Sequence, residues 1–238
     1  MKKLIYIYLF SLLFIGVPEA VAWMSPAIVG GGVPSSGVDC STENDLQDFD
    51  NWTETDVGSD RLTVTSTKAE LASVIKNETV TLVCDKGADN IGVFTYEFDF
   101  KITAMSDSAT QGLVAVSNTA VSTHQAMSDA AIGVSVYAYK LGTDYRVYIQ
   151  NYDGNSSATS DGLSFSTLYY ATFIRKTDGG NEISLEIDNS ADRASPEWSG
   201  KTITYTADTF RYVAVSFSHG GTGTTTSSGY VENLDMSP

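Results

Sequence analysis

Positive charge is scarce in this sequence. Fourteen Lys and Arg stand against 29 Asp and Glu in 238 residues, giving a formal net charge of −15. Contacts to phosphate need clustered Lys and Arg, so the composition argues against a nucleic-acid partner. It argues equally against an anionic membrane surface. Histidine occurs only at His124 and His219, and there is no Gly-x-Ser-x-Gly elbow, so no serine-hydrolase motif is present. Cys40 and Cys84 are the only cysteines and form no Cys-x-x-Cys pair, which leaves nothing that reads as a zinc site. No internal repeat is visible, and no apolar run reaches the ~20 residues that span a bilayer.

What is present is enough for a real core: 42% of the residues are hydrophobic and 11% aromatic. Lys2 and Lys3 precede the apolar run Leu4 to Val17, and Ala20-Val21-Ala22 is a small-x-small cleavage site. Residues 1–22 therefore read as a secretory signal peptide cut before Trp23, which places the protein outside the cell, in a periplasm or on a cell surface. Residues 23–45 hold Pro26, Gly30-Gly31-Gly32, Pro34 and Gly37 without periodicity, and read as a flexible leader. In an exported chain two cysteines favour a Cys40–Cys84 disulfide. Closing that loop stabilises by about 4 kcal/mol in the chain-entropy model.

From residue 46 to 238 strand signals recur. The chain is organised around Ala131 to Tyr152, where two period-2 runs flank the Gly-containing connection Leu141-Gly142-Thr143, the pattern of a β-hairpin. Ile132, Val134, Val136 and Ala138 fall on one face and Ser135, Tyr137 and Tyr139 on the other; Tyr145, Val147 and Ile149 alternate against Arg146, Tyr148 and Gln150. Phe94 to Ile102 is the longest clean alternation, and Leu168 to Lys176 with Glu182 to Asp188 form a second hairpin. Lys68 to Lys76 fits a short helix or a ragged strand, and Ser117 to Ala130 reads as a long polar loop carrying His124. With no long helix between the strands, the class is all-β: a two-sheet antiparallel sandwich.

Three stretches carry a resemblance. The opening Asp48-Phe49-Asp50-Asn51-Trp52-Thr53-Glu54, the hairpin Tyr169-Tyr170-Ala171-Thr172-Phe173-Ile174-Arg175 with Ile183-Ser184-Leu185-Glu186-Ile187, and the closing Ser228-Gly229-Tyr230-Val231-Glu232-Asn233-Leu234-Asp235 resemble the concanavalin A-like lectin/glucanase superfamily, including its laminin G-like jelly rolls. Such domains are frequent in secreted bacterial and phage-associated proteins. The resemblance implies a jelly-roll sandwich and names no ligand.

One glucanase branch of that superfamily carries alternating acids on a strand, and Glu97-x-Asp99 matches its first two. Lys101 or Ile102 stands where the third acid belongs, so the proton donor of a glycoside hydrolase is missing. The protein is therefore expected to be no enzyme, and Glu97 and Asp99 to lie on an ordinary solvent face. Carbohydrate binding has more support. Tyr137, Tyr139, Tyr148 and Tyr152 cluster with Gln150 near the polar face of the central hairpin, and sugars bind where aromatic faces meet amides. The same tyrosines also suit a half-exposed strand. Trp198, read as a loop residue, is either a further stacking platform or a plug at the end of the sandwich. Calcium held by Asp48, Asp50 and Asp235, or by Asp153 and Asn155, is implied by related sandwiches, although Asp and Asn serve turns on their own. The expected partner is a glycan or polysaccharide. The alternative is a structural or interaction module that binds surface or virion proteins or itself.

Overall fold

The computed structural model describes residues 52–56, 60–87, 92–154, 156–176, 182–205 and 209–236. All belong to the unit Pro34–Pro238. The signal peptide, the leader, Cys40, Asp48, Asp50 and Asn155 lie outside the described residues.

The described residues form fourteen strands and one helix. In order come β1 (Trp52–Asp56), β2 (Leu62–Val64), β3 (Lys68–Ile75), β4 (Val80–Asp85), β5 (Phe94–Met105) and β6 (Thr110–Ser117), followed by the helix α1 (His124–Ala130). Then come β7 (Val134–Leu141), β8 (Asp144–Asn151), β9 (Ser156–Thr159), β10 (Tyr169–Arg175), β11 (Glu182–Asp188), β12 (Trp198–Thr204), β13 (Tyr212–Phe217) and β14 (Thr226–Asp235). They form two seven-stranded sheets. Sheet A has the order β1-β4-β13-β6-β7-β8-β9, and sheet B the order β12-β11-β10-β5-β14-β3-β2. Every named pairing is antiparallel.

The alternation explains the core. Phe94, Tyr96, Phe98, Phe100 and Ile102 of β5 are buried and meet Val134, Val136, Ala138, Tyr145, Val147 and Ile149 of the central hairpin in one apolar cluster. Each buried Phe contributes about 1.5–3 kcal/mol. The register Leu141↔Asp144 leaves Gly142 and Thr143 as the turn, with Gly142 at φ 73°. Nothing lies within 4 Å of a Cβ built there, so glycine serves the backbone angle alone.

One open alternative is decided and three expectations change. Lys68–Ile75 is a strand, its Ala69, Leu71 and Val74 buried by pairing with β14. The polar loop contains a seven-residue helix, because Thr123 caps it by accepting from Ala126 N at 3.1 Å. Ile132 precedes the strand and packs outside sheet A with Met127 and Tyr152, since Gly133 at φ 72° turns the chain before β7 begins. Trp198 is no loop residue: it opens β12 opposite Ile187 and sits in the inter-sheet core at 7% exposure.

Candidate functional site

The outer face of sheet A positions the site. Alternation turns Tyr137 and Tyr139 of β7 and Tyr148 and Gln150 of β8 away from the core, and the register pairs Tyr137 with Tyr148. Their rings stack with centroids 5.2 Å apart and planes 8° from parallel. Tyr139 meets Tyr148 edge-on at 6.1 Å and 82°. Tyr137 donates to Gln150 Oε1 at 2.8 Å, which fixes one ring edge and one amide together.

α1 brings in His124. The helix packs on sheet A through Met127, which joins Val121, Ala115, Ala214, Phe217 and Tyr152 in a second apolar cluster. Its first turn is pinned to the loop after β13: His124 N donates to Ser218 O at 3.0 Å and Gln125 N to His219 O at 2.7 Å. Gly220 makes this approach possible. It stands at φ 62°, and a Cβ there would overlap Thr123 Oγ1. His219 is thereby set beside His124, ring centroids 5.2 Å apart.

The His124 ring lies 4.4 Å from that of Tyr137, and its Nδ1 is 2.6 Å from Tyr152 Oη. Tyr152 Oη also shares a hydrogen bond with Ser135 Oγ at 2.8 Å. Burial, with lesser contributions from His219 and Lys76, drives the His124 pKa from 6.5 down to about 3. His219 is lowered as well, chiefly by burial. Burial pushes the Tyr137 and Tyr152 phenols up. At neutral pH the cluster is thus neutral imidazole and neutral phenol. Thr110, His124, Tyr137, Tyr139, Tyr148 and His219 line an open cavity of about 280 Å³. None of these six side chains is a carboxylate.

The predicted residues Tyr137, Tyr139, Tyr148, Gln150 and Tyr152 thus come together, with Tyr152 beneath the cavity as a support. Trp198 does not join them. His124 and His219 were missed. The Thr123 cap was the one local sign that His124 would be held.

Glu97 and Asp99 lie elsewhere, on the outer face of sheet B. Asp99 is not on an open solvent face: it is 6% exposed. Its carboxylate accepts from Arg193 Nη2 at 2.7 Å and Asn233 Nδ2 at 2.8 Å, while Arg193 Nη1 lies 3.6 Å from Glu97. Asp235 is exposed and opposite Glu97 in the register. Among the described residues no group of three or more His, Cys, Asp or Glu could hold a metal ion. Cys84 is fully buried. Among the described residues no helix is long and apolar enough to cross a membrane.

No family model and no curated protein matches the sequence. Solved structures do match. Alginate lyase Aly36B superposes with TM-score 0.53 at 15% identity, over 85% of this chain and 92% of that one. An alginate lyase from Pseudomonas aeruginosa gives TM-score 0.53 at 13% identity, over 80% and 99%. A functionally unknown protein from Saccharomyces cerevisiae gives 0.52 at 8%, over 78% and 94%. The shared fold is a two-sheet antiparallel jelly-roll sandwich. At these identities the likeness shows the fold alone.

Proposed function

We propose that the protein is an exported glycan-binding protein whose ligand sits in the cavity over β7 and β8. The observation that carries this reading is the convergence of Tyr137, Tyr139 and Tyr148 with His124 and His219 around one cavity on an otherwise acidic protein. Aromatic faces cover the apolar C–H faces of a sugar, while phenol and imidazole groups serve its hydroxyls. The alginate lyases of similar fold act on a polysaccharide by name, which supports the ligand class. Hydrolysis is disfavoured, because it needs two carboxyl groups at the sugar and the cavity has none.

A glycan array tests the reading, run beside Tyr139→Ala and Tyr148→Ala. Binding that disappears in both supports it. Binding that survives in both places the site elsewhere, and an empty array favours a structural or interaction module, which co-purification or light scattering would reveal.

A second reading follows from the imidazoles and phenols that line the cavity, His124 and His219 with Tyr139 and Tyr148. A neutral imidazole against a neutral phenol is an acid–base pair. Set beside a sugar carboxylate, such a pair can take the proton from the neighbouring carbon as the glycosidic C–O bond breaks, and return one to the departing oxygen. The product is an unsaturated sugar, seen as rising ultraviolet absorbance on incubation with alginate. No rise leaves binding as the whole function.

Calcium remains a separate proposal. Asp235 is the one member of its first candidate set among the described residues, and stabilisation by added calcium would test it.

A further inference from the structure

The outer face of sheet A has a second cavity, of about 340 Å³, over β1 and β4. Thr53 and Thr55 of β1, Thr81 and Val83 of β4, Tyr212 of β13 and Val121 ahead of α1 form its walls. Alternation puts these strand residues on the same outer face as Tyr137 and Tyr148, since the register runs Thr53↔Val83, Val83↔Ala214, Ala214↔Ala115 and Ala115↔Ser135.

The chemistry is again that of a sugar site: one phenol ring, the hydroxyls of three threonines and Ser122, the Asp85 carboxylate and an apolar base. Its rim is held in place. Asp85 accepts from Arg211 Nε at 2.8 Å and Nη2 at 2.6 Å, and the same guanidinium stacks on Tyr212 at 5.0 Å. Thr81 is 2% exposed, and its Oγ1 has no hydrogen-bond partner among the described residues. A buried hydroxyl without a partner costs free energy that an incoming hydroxyl relieves.

One segment borders both cavities. Val121 lines this one and His124 the other, and the segment between them packs over β13 and β6. In the order β1-β4-β13-β6-β7-β8 the midpoints of β1/β4 and β7/β8 are four strand spacings apart, about 19 Å measured across the strands.

Resting on the glycan reading above, we propose that the cavity of Thr53, Thr55, Thr81, Val83 and Tyr212 is a second subsite for a further stretch of the same polysaccharide, crossing the strands of sheet A. Ligands long enough to fill both cavities then bind more tightly than short ones.

The test is calorimetric titration of the full chain with length-graded oligosaccharides of alginate and of β-glucan. Tyr212→Ala removes the ring, and Thr53→Trp fills the cavity from an exposed position. Both should lower long-oligomer affinity about tenfold, to the level of short oligomers, and leave short-oligomer affinity unchanged. Circular dichroism confirms that each variant is folded. Long-oligomer affinity unchanged in both variants overturns the second subsite. In that case loss of short-oligomer binding in Tyr148→Ala shows the first site intact as a reading. Wild-type protein that binds neither polymer at any length overturns both.

Discussion

Tyr152 Oη and His124 Nδ1 lie 2.6 Å apart, and that contact fastens α1 to the end of the central hairpin. Ser135 Oγ, buried on β7, completes the chain at 2.8 Å. Tyr152→Phe keeps the ring in its apolar cluster and removes the oxygen, leaving two buried polar groups without their partner. The expected cost is about 1–3 kcal/mol, read as a shift in the urea midpoint with an unchanged slope. An unshifted midpoint would mean that Met127 and the bonds to Ser218 and His219 hold the helix without this contact.

Stability should fall with acid, and the sign follows from burial. His124 has a folded pKa of about 3 against 6.5 when free, so the unfolded chain takes up its proton first. The contribution is fully present above about pH 6.5 and is lost as pH falls toward 3. His219, also lowered, acts in the same direction. Asp85 is lowered too, by Arg211, but its loss begins only near its ordinary 3.8. Between about pH 4.5 and 7 the histidines lower the urea midpoint as acid is added. Glu54 and Glu232, both raised above 4.5 chiefly by burial, oppose them at the acid end. The comparison with a histidine variant is therefore what isolates His124. In His124→Gln the slope over that window should flatten. A slope identical to wild type would place the acid sensitivity in other groups.

Gly220 sets the distance between the two histidines. Gly220→Ala puts a Cβ into Thr123 Oγ1 at a φ of 62° that alanine disfavours. The loop must move away from the helix cap, at about 1 kcal/mol for the backbone angle alone. Glycan affinity should fall although no cavity-lining residue has changed. Normal affinity in this variant would show that His219 does not need its place beside His124.

The strands were legible because side-chain period 2 is local, and so were Tyr137, Tyr139 and Tyr148, which the same alternation turns outward. Trp198 was not. Pro196 and Gly200 flank it like a loop, whereas its pairing with Ile187 is a contact between separate strands. His124 and His219 were missed because a seven-residue helix shows little periodicity, and their meeting depends on Gly220 packing against Thr123. The bias toward a solvent face for Asp99 failed for a related reason: what covers it comes from a distant loop.

The proposed Cys40–Cys84 bridge has a simple check. Cys84 lies buried in β4, with Val213 opposite it in the register. If it is bonded to Cys40, native protein titrates no thiol, and reduction lowers the melting temperature. Two reactive thiols in native, air-exposed protein would overturn the bridge.

Arg193 decides what the acids of β5 are for. It reaches from the loop after β11 to hold Asp99 at 2.7 Å and to approach Glu97 at 3.6 Å, with its guanidinium 5.4 Å over Tyr170. Asp99, at 6% exposure, cannot lose this partner cheaply, because a nearly buried carboxylate would keep only Asn233. Arg193→Ala should cost about 1.5–3 kcal/mol, the range for a hydrogen bond to a charged group. Glu97 is more open, and its contact with Arg193 is longer, so Glu97→Gln should cost under about 1 kcal/mol. Neither substitution should change glycan affinity, because sheet A carries the proposed site and sheet B carries these acids. The comparison separates two roles that the same residue types can play. Reducing-sugar release from β-glucan by wild type, abolished in Glu97→Gln, would return the pair to catalysis. A stability loss confined to Arg193→Ala, with binding intact, assigns the acids to anchoring the loop.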